Sequence, residues 1–343
     1  MSSRFIAYSL SVIISLLYGF TCQAILRSEK AVNDVLPLVN IGMVMTFGFV
    51  FIFPFCLGVI TVYFAEEKLR KSYLFQIFMP WITALISLLL SFLAGWEGTI
   101  CLVLATPIYL SMSSIGGLST GVFLKFTTHK KHLQLTFFNF VLIAPFLSGV
   151  VEDYFLLPSE IRTVNTEIPI HASSNIIWSQ ITKIPKITEP QEGFFYIMGF
   201  PKPLEATLSY EGVGGIREAK FEKGLMFTEK IILWQPNQKL RFTIQSHPES
   251  TPLTTLDPHV VVGGKYFDTL LGEYEIESIS ETESILHLYS QYRISTRFNF
   301  YASLWSDFLM RDIQNNILHV LKQRCEKLSK LTEKGEKKIY KNR

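Results

Sequence analysis

Long unbroken apolar runs fill the first 157 residues, and short alternating ones fill the rest. Five runs are readable, at about 5–25, 38–64, 73–94, 99–124 and 133–151. Each reaches the roughly 17–25 residues needed to cross a hydrocarbon core of about 30 Å. A backbone in lipid has to satisfy its own hydrogen bonds, so runs of this length predict helices. Pro54, Pro80, Pro107 and Pro145 lie inside them and predict kinks, because neighbouring helices can satisfy the freed carbonyls. Tyr18, Tyr63, Tyr73, Trp81 and Trp96 stand near run ends, where amphipathic rings favour the interface. The first run, led by Arg4, also has the layout of a signal peptide. Its apolar stretch is long for that role and Thr21-Cys22-Gln23-Ala24 is a poor cleavage site, so a retained helix is expected.

From Pro158 onward the period shortens. Residues 163–170 predict a strand, 174–183 a short helix and 194–200 a second one. Strand-like segments follow at 204–210, 215–221, 225–234 and 239–245, then at 259–267, 271–278 and 284–296. Residues 301–328 predict one long amphipathic helix, with Trp305, Phe308, Leu309, Ile313, Ile317, Val320 and Leu321 as its apolar stripe. The expected architecture is a membrane α-helical bundle over 1–157, followed by an α+β domain over 158–328. In that domain a curved antiparallel sheet is covered by the last helix. Residues 329–343 read as a basic flexible tail.

Charge sharpens this division. Residues 1–157 hold 9 of the 32 Lys and Arg and 7 of the 29 Asp and Glu. No charge falls in the middle of a run, so an anchor is expected rather than an ion or substrate pathway. Asn40, Gln76 and Asn139 are expected to join helices, and Gly116, Gly117, Ser119 and Gly121 to let them approach closely. One side of the bundle collects Arg4, Lys68, Arg70, Lys71, Lys125, Lys130 and Lys131; the other collects Arg27, Lys30 and Arg162. The richer side should be cytoplasmic. Five crossings then make a multi-pass protein of the cell membrane, with its C-terminal domain on the non-cytoplasmic, periplasmic side.

Several chemistries find no support. The net charge is +3, and no basic stripe with interleaved aromatics suggests nucleic acid. The four cysteines show no CxxC spacing, which leaves neither a zinc site nor a disulfide framework. His247 and His259, with Asp257, lack metal-ligand spacing, and no cofactor is implied. Gly212-Val213-Gly214-Gly215 leads into a strand, so it is no phosphate cradle.

One polar pair does stand out. If Phe221 and Leu225 flank a three-residue turn with Gly224 left-handed, Arg217 and Glu229 lie directly opposite each other. They then share a face with Ala219, Phe221, Phe227, Ile231 and Leu233. Alternation in 284–296 turns Leu286, Leu288, Ser290, Tyr292 and Ile294 inward and His287, Tyr289 and Arg293 outward.

In order along the chain stand Ile177-Trp178, Gly212 to Arg217, Phe221-Glu222-Lys223-Gly224, Glu229 to Pro236, Leu240-Arg241-Phe242 and Leu286 to Arg293. In these pieces residues 160–327 resemble the START-like, or SRPBCC, superfamily, which includes polyketide cyclase/dehydrase-like and lipid-transfer domains. The resemblance implies a helix-grip fold with an apolar cavity between sheet and terminal helix. Members share no universal catalytic triad, so it implies a pocket and not a reaction. The expectation is a membrane-anchored domain that binds a lipid or other hydrophobic small molecule at the membrane surface. Its expected ligand-binding residues are Arg217, Glu229, Phe227, Ile231, Leu288, Ser290, Tyr292 and Trp305. Two alternatives stay open: an SRPBCC-type enzyme using Arg217, Glu229 and Tyr292 as acid/base groups, and a pocketless interaction module.

Overall fold

The computed structural model of the chain describes residues 3–27, 45–153, 155–251 and 261–341, and it divides into two units. The first holds residues up to Pro158 together with Thr296–Phe298; the second holds Ser159–Ser295 and the chain from Asn299 onward.

The helical unit consists of α1 (Ser3–Arg27), α2 (Phe53–Tyr63), the one-turn α3 (Glu67–Arg70), α4 (Tyr73–Leu93), α5 (Thr99–Phe126) and α6 (Lys131–Asp153). Among the described residues, α4 and α5 are long and apolar enough to cross a membrane. Leu10–Ile25 and Gly48–Tyr63 are apolar but shorter. The beginning of the second expected run, up to residue 44, lies outside the described residues. Its described part contains a π-helical turn, Gly48–Ile52, that runs directly into α2, so Pro54 lies inside a continuous helical run just after the widened turn. Proline has no N–H to give the preceding turn, so a widened turn there loses nothing.

α2 is apolar all round and buried from Cys56 to Val62. Helix α5 comes within backbone contact of both α2 and α4. A Cβ on Gly58 would lie 1.9 Å from the Ser113 carbonyl oxygen, and one on Gly116 2.1 Å from that of Phe55. Polar side chains fill the remaining seams. Thr61 and Thr83 bond at 3.0 Å, Ser91 donates to Gln23 at 2.6 Å, and Ser15 donates to the Leu57 carbonyl at 3.0 Å. Gln76, expected to join helices, is buried on α4 and donates to the Arg70 carbonyl at the end of α3. Asn139 is exposed on α6 and makes no hydrogen bond among the described residues; nine residues into the helix, its side chain falls on the outward stripe with Phe140 and Ile143.

The second unit is one seven-stranded antiparallel sheet in the order β1-β7-β6-β5-β4-β3-β2. The strands are β1 (Glu160–Ile170), β2 (Pro203–Leu208), β3 (Ile216–Phe221), β4 (Met226–Gln235), β5 (Lys239–Ser246), β6 (Phe267–Ser278) and β7 (Ser284–Ile294). Two short helices, α7 (Ser174–Thr182) and α8 (Phe194–Ile197), separate β1 from β2, and α9 (Asn299–Lys341) closes the chain. A curled sheet with a long C-terminal helix fits a helix-grip fold. The main core joins Ile177 and Ile181 of α7 and Leu318, Leu321 and Cys325 of α9 to Ile231, Leu240, Phe242, Tyr274, Ile276, Leu286 and Leu288 of the sheet. Helix α9 continues to Lys341, through most of the segment read as a tail.

Three local expectations are corrected. Residues 252–260 lie outside the described residues, and 261–266 form no strand beyond a bridge at Val262, because Gly263 turns the chain at φ +85°. In β4 a bulge between Ile231 and Leu233 shifts the alternation, so Trp234 and not Leu233 packs against the core. In α9 the sheet-facing stripe is Asp307, Met310, Gln314, Leu318, Leu321 and Cys325, while Phe308 is 41% exposed. An apolar stripe could not reveal this, because two of the positions turned to the sheet are polar.

Those two polar residues fasten the helix. Arg162 on β1 gives Asp307 a two-pronged contact at 3.2 and 2.7 Å, and the Tyr292 hydroxyl donates to the same carboxylate at 2.6 Å. Gln314 donates to Ser290 Oγ at 2.8 Å and to the Val164 carbonyl at 3.2 Å, and it accepts from Thr166 at 3.1 Å. Burial pushes the Asp307 carboxyl up, but bonds from Arg162 and Tyr292 outweigh it and hold the group below the ordinary aspartate range. The unfolded chain therefore binds this proton more readily than the folded one. The stability it brings is present above about pH 4, the unfolded value, and is lost as pH falls through the lower folded value. Asp307→Asn is expected to cost roughly 2 kcal/mol at neutral pH, the scale of hydrogen bonds to a charged group. It should also flatten the acid limb of stability. Urea midpoints of the two proteins between pH 3 and 7 check this; parallel curves would mean that Asp307 titrates alike in both states.

Candidate functional site

The turn that sets the register is Glu222-Lys223-Gly224, with Lys223 at φ +57° and Gly224 at φ +82°. The Phe221 amide bonds the Leu225 carbonyl at 2.8 Å, and Arg217 then pairs with Glu229 across the strands. Arg217 Nε lies 2.7 Å from Glu229 Oε2, with the two residues 3% and 6% exposed. The guanidinium is held on its other sides as well. Nη1 donates to the Ile181 carbonyl in the last turn of α7 at 2.8 Å, where the helix dipole favours a cation. The Phe242 and Tyr274 rings lie 4.7 and 5.7 Å from the guanidinium carbon. Gly272 sits opposite Phe242, and a Cβ there would come within 2.5 Å of the ring. Only a glycine lets that ring lie across β6.

Electrostatics make this an unusual patch of core. Burial pushes the Glu229 carboxyl up, against the opposing pull of Arg217. Burial likewise raises the Tyr274 phenol. A carboxyl, a guanidinium and a phenol thus converge inside the apolar cluster that includes Ile231 and Leu288. Such a group can meet the polar end of a small molecule or shuttle a proton. Tyr274 is missing from the sequence reading, and Phe242 stands there in the Leu240-Arg241-Phe242 piece but not among the expected site residues. A signal existed: alternation along 271–278 puts Gly272, Tyr274 and Ile276 on one face.

The other expected site residues fall in different places. Phe227 is buried beside Phe221, with ring centroids 5.3 Å apart. Ser290 and Tyr292 point inward, yet their hydroxyls are engaged with Gln314 and Asp307 of α9. Tyr292 packs with Val164, Ile294 and Met310, in a cluster separate from that of Arg217 and Tyr274. Arg217, Glu229 and Tyr292 are therefore not one constellation. Trp305 is half-buried at the edge of an aromatic row, its ring 6.4 Å from that of Phe308.

No family model matches the chain, and no curated protein matches it. Among solved structures it is similar to a START superfamily protein from Mycobacterium smegmatis, at 13% identity over 48% of this chain and 98% of that one, TM-score 0.33. It is also similar to norcoclaurine synthase from Thalictrum flavum, at 10% identity over 48% and 86%, TM-score 0.30. A third likeness is to the Zhui aromatase/cyclase from Streptomyces sp. R1128, at 13% identity over 49% and 94%, TM-score 0.31.

Proposed function

We propose that the N-terminal helices anchor this protein in a bilayer, and that its C-terminal half holds a lipid or another apolar small molecule taken up at the membrane surface. The observation that carries the reading is the inverted packing of α4. This helix turns Leu74, Phe78, Ile82, Leu85, Leu89 and Leu93 outward, each between 46% and 70% exposed. Inward it turns Gln76, Thr83, Ser87 and Ser91, all buried. Water would penalise so large an apolar face. Lipid does not, and there small and hydroxyl-bearing residues are what bring helices together.

The ligand reading rests on the helix-grip arrangement and on the buried polar group of Arg217, Glu229 and Tyr274, which would meet a headgroup while Ile231 and Leu288 meet the chain. The test is a titration of the detergent-solubilised full chain with a fluorescent fatty acyl probe. Saturable binding is expected, and Leu288→Trp should abolish it while near-UV ellipticity keeps its native form. Absence of saturable binding by the parent would make the C-terminal half an interaction module instead.

The seven-to-three excess of Lys and Arg further supports a C-terminal half on the non-cytoplasmic side. A fluorescent protein that matures only in the cytoplasm, fused after Arg343, should stay dark in cells. Bright cells would reverse the orientation.

A further inference from the structure

The outward face of α9 changes character along its length. Phe300, Leu304 and Phe308 succeed one another at helical spacing and are 67%, 66% and 41% exposed. The same stripe then continues as Arg311, Asn315, His319 and Gln323, all exposed and all polar. Beside its apolar end stands α8. Phe194 and Phe195 bring their ring centroids within 5.5 and 5.2 Å of Phe308, and Ile197 is 86% exposed. Trp305 borders the same row, at 6.4 Å from Phe308. An apolar surface therefore spans α8 and the first three turns of α9, ends at a cation, and gives way to polar residues.

We infer that this surface rests on the bilayer, with Leu304, Phe308 and Ile197 at the headgroup–acyl boundary and Arg311 among the headgroups. The inference rests on the membrane reading above and goes beyond it, because the bundle needs no second contact to stay in lipid. Three features select a lipid surface over other occupants. The first is the axial switch from apolar to cationic to polar: from Phe300 to Phe308 the helix rises about 12 Å. That is the scale on which an interfacial element sinks, roughly 5–10 Å, before it meets headgroups. The second is residue type. Trp305 carries an amphipathic ring of the kind that collects at membrane interfaces, and Arg311 is complementary to anionic headgroups. The third is chain length. Thr296–Phe298, just ahead of α9, groups with the helical unit. Leu304 follows six residues later, which in a helix is about 9 Å of chain. Contact there would set α9, the helix that covers the sheet, against the source of the ligand.

The experiment uses the full chain with Cys101→Ser, reconstituted into vesicles of phosphatidylcholine and phosphatidylglycerol, with one exposed cysteine introduced at a time to carry an environment-sensitive fluorophore while Cys22, Cys56 and Cys325 stay buried. Leu304→Cys and Asn315→Cys place labels at exposed positions on either side of Arg311, and Leu89→Cys reports on the outer face of α4. The expected result is several-fold stronger quenching by a lipid-borne nitroxide at 304 than at 315, with 89 quenched as well. Moving to vesicles of phosphatidylcholine alone should weaken the effect at 304 and leave 89 unchanged. Quenching at 89 with 304 no different from 315 overturns this inference and leaves the anchor standing. No quenching at 89 removes the anchor, and this inference with it. Shielding at 304 that follows protein density and ignores the lipid quencher would assign the surface to a second copy of the chain, which also overturns it.

Discussion

Arg217→Met and Glu229→Leu, made singly, are each expected to cost about 3–5 kcal/mol, and made together far less. The asymmetry follows from burial. Both side chains are almost wholly out of water, and each is the other's counter-charge at 2.7 Å. Removing one leaves a charge that water cannot reach, and that penalty exceeds the net worth of the pair. The two losses differ in kind. Without Glu229, the guanidinium keeps the Ile181 carbonyl and the Phe242 and Tyr274 rings, so part of its charge stays compensated. Without Arg217, Glu229 loses its paired cation, the opposing pull on its already raised carboxyl is gone, and the group should take up a proton more readily still. Glu229→Leu should therefore be the costlier single change at pH 7, and Arg217→Met should grow costlier still as pH rises. Urea unfolding of the solubilised full chain gives the energies, and amide exchange in β3 and β4 places them. Two mild, additive single variants would mean that the pair is solvated in solution.

How far these features were legible in the sequence depended on which interaction set them. The Arg217–Glu229 register was legible because a turn fixes it locally: one glycine at the left-handed position aligns every later pair. The inward row of β7 was legible for a similar reason. Leu286, Leu288, Ser290, Tyr292 and Ile294 alternate without interruption, and the structure buries all five. Leu233 failed because a bulge is a backbone event that no side-chain pattern announces. The face of α9 failed for a different reason. Asp307 and Gln314 are inward because partners on β1 and β7, more than a hundred and about twenty residues away in sequence, meet them there. A stripe drawn from apolarity alone rotates toward Trp305 and Phe308, which serve an outer surface instead. In the helical unit the length of α4 and α5 was plain, but their inversion was not. Apolar runs look alike whichever face is inward, and only packing separates Leu85 from Ser87.

That packing makes the glycines of α2 and α5 the most sensitive positions in the helical unit. Gly116→Leu and Gly117→Leu are expected to prevent assembly of the bundle, where Ile115→Leu, at an exposed position on the same helix, should be tolerated. A Cβ on Gly117 would stand 2.2 Å from the Gln76 carbonyl oxygen, and one on Gly116 2.1 Å from that of Phe55. Both obstacles are backbone, so no rotamer change relieves them and whole helices have to separate. Separation then costs the hydroxyl contacts that depend on the same approach, Thr61 with Thr83 and Trp81 with Ser114 at 2.6 Å. Gly19 supplies the internal control. A Cβ there meets the end of the Leu57 side chain at 3.1 Å, which can swing aside. Gly19→Ala should therefore cost no more than the low end of the about 1–3 kcal/mol typical of overpacking, while Gly116→Ala should exceed that range. Size-exclusion profiles and thermal midpoints of the detergent-solubilised variants separate these cases. Equal tolerance of alanine at 19 and 116 would mean that α2 and α5 do not touch through their backbones.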